Sequence, residues 1–85
     1  MLRVKGDSMV DAGIIEGDMV LVERGREPKP GTIVIARIDG EYTMKYYRKR
    51  NGKAYLEPAN KKYKPIFPTQ ELSVEAIVIA VIRKY

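Results

Sequence analysis

Thr32-Ile33-Val34-Ile35-Ala36-Arg37-Ile38-Asp39-Gly40-Glu41-Tyr42-Thr43-Met44-Lys45-Tyr46-Tyr47-Arg48, continued by Lys49-Arg50-Asn51-Gly52-Lys53-Ala54-Tyr55-Leu56-Glu57, decides the fold. β-Branched and aromatic residues fill three short runs, Thr32–Ile38, Glu41–Arg48 and Lys53–Glu57. Asp39-Gly40 and Asn51-Gly52 separate them, and both pairs tolerate the positive φ angles of tight hairpin turns. The stretch therefore predicts three antiparallel strands joined by two hairpins.

Working outward, Glu16-Gly17-Asp18 and Pro28-Lys29-Pro30-Gly31 are further turn signals, with a strand-like run Met19–Glu23 between them. No segment sustains a helical period. The best helical candidate is Met9–Ile15, one or two turns interrupted by Gly13. The expected fold is mainly β: a compact, bent antiparallel sheet, barrel-like, with at most one or two short helical turns.

Val74–Arg83 reads as a closing strand that is apolar on both faces. Simple alternation puts Val74, Ala76, Val78, Ala80 and Ile82 on one face and Ile77, Ile79 and Val81 on the other. Such a strand is either central in the sheet or covered by another subunit. The second alternative makes Ile79 and Val81 dimer-contact residues.

The chain has 85 residues, enough for one small domain. A chain of this size buries only roughly 60–65% of its unfolded surface, so its core is thin. A hydrophobic content of 45% is ordinary for a globular domain. With no cysteine, disulfides and Cys-rich metal clusters are excluded, which fits a reducing cytoplasm. No cofactor is expected. The net charge of +5 favours weak attraction to anions, and equally suits a soluble surface with surplus lysine. Met1-Leu2-Arg3-Val4-Lys5 does not open a signal peptide. Ala76–Ile82, the longest apolar run, is too short to cross a membrane as a helix.

The chain also lacks histidine, which restricts covalent chemistry. A serine activated by a neutral lysine is the common solution that remains. Ser8, in Gly6-Asp7-Ser8-Met9, and Lys45, mid-strand among Thr43, Met44, Tyr46 and Tyr47, are the candidates. Taken singly, each has an ordinary reading: a serine capping a turn, and a lysine facing solvent on a half-exposed strand. Lysine is a base only when neutral. Burial among apolar groups without a carboxylate partner lowers its pKa toward that state.

Read together, several motifs resemble one family. Val4-Lys5-Gly6-Asp7-Ser8-Met9 is followed by Gly13-Ile14-Ile15-Glu16-Gly17-Asp18-Met19-Val20, then Gly31 through Lys45. Leu56-Glu57-Pro58-Ala59-Asn60, Lys64-Pro65-Ile66 and Val74–Arg83 complete the series. In this order they resemble the C-terminal self-cleavage domain of LexA repressors, a signal-peptidase-like type also found in phage repressors and UmuD-like proteins. The resemblance implies that Ser8 is the nucleophile and Lys45 the general base. The backbone N–H groups of Asp7 and Ser8 match the oxyanion positions. Met9, Tyr42 and Ile66 fall where the family lines the lysine pocket. Two positions depart from the pattern. Tyr42 replaces a small aliphatic residue, and Asp7 places a carboxylate where an uncharged residue is common. A carboxylate near Lys45 would raise its pKa and oppose activation.

The resemblance further implies a cytoplasmic homodimer acting in SOS-response transcription. Its cleavage is triggered by a RecA–single-stranded-DNA filament. Operator DNA would be bound only through an N-terminal helix-turn-helix domain. The family cuts its own Ala-Gly bond well upstream of the serine. Here seven residues precede Ser8, and the Ala12-Gly13 pair follows it. Residues 1–85 are thus expected to be a single peptidase core without helix-turn-helix or scissile segment, with Met1 an introduced start. Such a core would cut only in trans. A UmuD-like polymerase accessory subunit is the alternative within the same family. A small basic β-barrel binding nucleic acid through Tyr46-Tyr47-Arg48-Lys49-Arg50 is the alternative outside it.

Overall fold

The computed structural model describes all residues except Gln70 and Tyr85. Six strands form one sheet: β1 (Leu2–Arg3), β2 (Met19–Glu23), β3 (Ile33–Ile38), β4 (Glu41–Arg50), β5 (Lys53–Glu57) and β6 (Leu72–Ile82). Their order in the sheet is β1-β2-β6-β3-β4-β5, and the neighbours run antiparallel. The mainly β expectation holds.

The two hairpins form where the punctuation placed them. Asp39 and Gly40 have φ of 47° and 91°, and Asn51 and Gly52 have 51° and 77°. These are paired positive angles, as a tight two-residue hairpin turn requires. Because the second turn is so short, β4 runs on to Arg50, two residues past its expected end. The helical candidate Met9–Ile15 yields only a single 3₁₀ turn, Val10–Ala12, stopped by Gly13 at φ 80°.

β6 is central, between β2 and β3, which meets the first of the two alternatives raised by its apolar faces, while exposed apolar residues near its end are compatible with the second. Its expected strict alternation fails. Against β2 the register slips at Ile79, and against β3 it slips at Glu75. Each slip is a bulge that turns the following side chains to the opposite face. Ala76 and Ile77 lie between the two slips and are both buried, one on each face of the central strand, while Ile79, Val81 and Ile82 are 47%, 41% and 43% exposed.

The sheet curls strongly. In sheet order, four strand spacings separate β1 from β4. That distance is ~19 Å if flat. Yet Leu2 and Arg3 share one cleft of about 400 Å³ with Tyr42, Thr43, Met44 and Lys45. The Cα radius of gyration, 12.3 Å, is close to that of a compact chain of this length.

Two apolar clusters result. The first comprises Val34, Ala36, Ile38, Tyr47, Leu56 and Ile77. The second comprises Val4, Met9, Ile14 and Val20, with Met44, Tyr46 and Ile33 packed against it.

Candidate active site

Lys45 is opposite Val34 in the β3–β4 register, so it shares the sheet face of the first cluster with Thr43 and Tyr47. It is 8% exposed. Its Nζ donates to Thr43 Oγ1 at 2.5 Å and to the Met44 carbonyl at 3.1 Å. No carboxylate pairs with it among the described residues. Burial pushes its pKa below the ordinary lysine value of 10.5. A neutral amine has two N–H donors and one lone pair. Two acceptors are in place, so the lone pair is left for a third group.

Ser8 lies on the segment between β1 and the 3₁₀ turn, and it is partly buried. Two observations explain why the chain turns there. Gly6 adopts φ 78°, and its N–H donates to Glu16 Oε1 at 2.9 Å. A Cβ on Gly6 would meet nothing within 4 Å, so glycine is required by the backbone angle rather than by space. Met9, next in sequence, is 2% exposed and anchors the segment in the second cluster.

Ser8 and Lys45 line the same two cavities. One is the cleft beside β1, whose apolar wall includes Val4, Met9, Ile35 and Met44. The other, about 310 Å³, is lined by Gly6, Asp7, Pro58, Tyr63, Lys64 and Ile66 as well. Of the expected pocket residues, Met9 borders the first cavity and Ile66 the second. Ile66 is fixed by reciprocal backbone bonds with Leu56, of 3.0 and 2.8 Å. Tyr42 also borders the first cavity, but it is 66% exposed and has Arg37 5.9 Å from its ring centre. It neither shields Lys45 nor hydrogen-bonds to it. Among the described residues, no backbone group accepts from the N–H of Ser8, whereas the N–H of Asp7 is turned to Asp7's own carboxylate.

The expected conflict between Asp7 and Lys45 does not arise. Asp7 turns to Tyr63, whose hydroxyl donates to it at 2.5 Å, and to Lys62 at 3.3 Å. Those bonds, Tyr63 first, hold its carboxyl below the usual range and raise the pKa values of Tyr63 and Lys62. Sequence reasoning gave Tyr63 no role, because a contact spanning 56 residues leaves no local signal. Thr43 did have one: it stands two residues before Lys45 on the same strand face. Ala12-Gly13 is built into the 3₁₀ turn, and the Gly13 carbonyl accepts from Arg83 at 2.8 Å.

The aromatic–basic tip of the β4–β5 hairpin is not an open platform, which removes the main support for nucleic-acid binding there. Tyr46 packs on the second cluster, and Tyr47 is 8% exposed in the first. Arg48 is engaged by Glu57 and by the Tyr46 ring. Arg50 lies over Tyr55 and Phe67. Among the described residues, no cluster of His, Cys, Asp or Glu could hold a metal ion, and no helix is long and apolar enough to cross a membrane.

Comparison with known families agrees with this architecture. The Peptidase S24-like family matches residues 1–82. The chain belongs to that family. It is similar to the LexA repressor of Shewanella loihica, 43% identical over 98% of the chain and 42% of that protein. It is 45% identical to the LexA repressor of Alcanivorax borkumensis, over 98% of the chain and 41% of the relative. With the LexA repressor of Acetivibrio thermocellus it is 46% identical, over 99% and 39%. The chain thus spans about two fifths of the length of these relatives, and it is LexA-like across nearly all of its own. Family membership makes it a domain of the serine-peptidase kind.

Proposed function

We propose that this domain is the catalytic and dimerisation core of a LexA-like repressor, in which Ser8 and Lys45 cleave a peptide bond. The observation that carries the reading is Lys45 itself: 8% exposed, without a carboxylate, and bordering the same cavities as Ser8. Keeping a charged lysine there is costly, and a base is one use for it.

The steps follow from the atoms available. Neutral Lys45 Nζ, held by Thr43 and Met44, takes the Ser8 hydroxyl proton as Ser8 Oγ attacks the scissile carbonyl carbon. The N–H groups of Asp7 and Ser8 receive the oxyanion. Collapse breaks the C–N bond, and the leaving amine takes the proton from Lys45. Water, deprotonated by Lys45, then releases the acyl group from Ser8. The cleft beside β1 suits an extended segment, whose apolar side chains would lie against Val4, Met9 and Met44.

The substrate of this reading is an Ala-Gly bond in a segment of the same polypeptide, upstream of Ser8 in the longer parent. Residues 1–85 alone would then cut only a segment supplied in trans. Ile79 and Val81, both apolar and exposed, would form the homodimer contact. A RecA–single-stranded-DNA filament would trigger cleavage in the cytoplasm, and operator DNA would be bound through a separate N-terminal domain.

The test is self-cleavage of the parent protein at rising pH. Wild type should cleave faster as Lys45 loses its proton. Ser8→Ala, Lys45→Ala and Lys45→Arg should each abolish cleavage, arginine because its guanidinium stays protonated. A Lys45→Arg parent that still cleaves would overturn the assignment.

A further inference from the structure

Leu56 and Ile66 pair through their backbones, so the residues between them form a closed loop. This loop grips the Ser8 turn at successive peptide groups. Ala59 N–H donates to the Ser8 carbonyl at 2.8 Å, and the Ala59 carbonyl accepts from Asp11 N–H at 2.7 Å. Asn60 Nδ2 donates to the Asp7 carbonyl at 2.8 Å, while Asn60 Oδ1 accepts from Lys62 N–H at 3.0 Å. Both ends of the Asn60 amide are therefore used. The alternative orientation would set oxygen against oxygen and N–H against N–H, so its direction is determined.

The Asp7 carbonyl and the Ser8 N–H are two ends of one planar trans peptide, pointing opposite ways. Fixing the carbonyl fixes the N–H. A second bond to the same oxygen, from Val10 N–H, is long at 3.4 Å, so Asn60 provides the closer restraint. Lys62 and Tyr63 hold the Asp7 side chain, which can rotate without turning the peptide. We propose that Asn60 is a positioning residue, whose amide holds the Asp7–Ser8 peptide so that the Ser8 N–H meets the developing oxyanion. The proposal rests on Ser8 being the nucleophile.

A fluorophosphonate tests it without a peptide substrate. Ser8 Oγ bonds to phosphorus, fluoride leaves, the proton passes to Lys45, and the phosphoryl oxygen takes the oxyanion position. The rate of labelling at Ser8 is followed by mass spectrometry of the chain from neutral to alkaline pH. Asn60→Ala removes both hydrogen bonds. Asn60→Ser keeps an oxygen that can accept from Lys62 N–H, but it is one bond too short to reach the Asp7 carbonyl. We expect both variants to lower the alkaline plateau by about 10–100-fold, with the apparent pKa unchanged. The unfolding temperature of Asn60→Ser should stay within ~3 °C of wild type. If wild type is labelled and either variant reacts at the wild-type rate, the role of Asn60 fails while Ser8 stands. A shift in apparent pKa instead would mean that Asn60 acts through Lys45, and would also overturn the proposal. If wild type is not labelled at Ser8, the nucleophile assignment fails and this role with it.

Discussion

The two apolar clusters are built differently, and the site lies between them. The first is made by strands: Val34, Ala36 and Ile38 alternate along β3 and face Tyr47, Leu56 and Ile77. The second draws Val4, Met9 and Ile14 from outside the strands and closes over Val20 of β2. Lys45 stands in register with a member of the first cluster, whereas Ser8 is chained to a member of the second. The chemistry proposed here depends on two cores holding a fixed relation. A loss in the first should act on stability, and a loss in the second on the site as well.

The largest effect on stability is expected in the first core. Leu56 is fully buried, and Leu56→Ala should cost about 3 kcal/mol, lowering the thermal midpoint by ~10–20 °C. Met9→Ala in the second core should cost somewhat less, about 2 kcal/mol by chemical denaturation. Its loss of Ser8 labelling by a fluorophosphonate should nevertheless exceed that of Leu56→Ala at matched folded fraction. Equal loss in the two variants would break the comparison.

The second core has an electrostatic clamp that the first lacks. Asp18, 2% exposed, accepts from Arg83 Nε and Nη2, each at 2.8 Å, and from Ile15 N–H at 2.9 Å. These bonds, Arg83 first, lower its pKa from 3.8 to about 2. A carboxyl with a depressed folded pKa contributes stability above its unfolded pKa and loses it as pH falls through the folded one. Stability should therefore drop between about pH 4 and 2, and Arg83→Met should flatten that drop. Equal acid profiles for the two proteins would remove the clamp from the account.

The smallest effect on folding belongs to the exposed end of β6. Ile79→Lys with Val81→Lys should change stability by less than about 1 kcal/mol, since both side chains are largely exposed. Light scattering should still report a monomer where wild type is dimeric. A wild-type chain that is monomeric at high micromolar concentration would dismiss these residues as a dimer face.

The same contrast explains what the sequence disclosed. β3, β4 and β5 follow from alternation and from Asp39-Gly40 and Asn51-Gly52, which are rules acting over a few residues. β2 was found at its observed bounds, Met19–Glu23. The bulges at Glu75 and Ile79 were invisible because nothing in an apolar run marks where its register slips. Ser8 and Lys45 stood out by family resemblance and by the absence of histidine. Asn60 and Tyr63 reach back 53 and 56 residues to Asp7, and Arg83 reaches 65 back to Asp18. Such contacts come from the packed sheet, not from local propensity. Asp7 likewise looked hostile to a neutral lysine until its partners were seen.

The central claim is that burial prepares Lys45 to be neutral beside Ser8. Nuclear magnetic resonance titration of the Lys45 side-chain nitrogen measures this directly. Wild type should titrate below the ordinary value of 10.5. A lysine with a depressed folded pKa also weakens folding while it is charged, so the stability advantage of Lys45→Met should shrink as pH rises toward 10.5. A Lys45 midpoint at or above the ordinary lysine value would contradict the account.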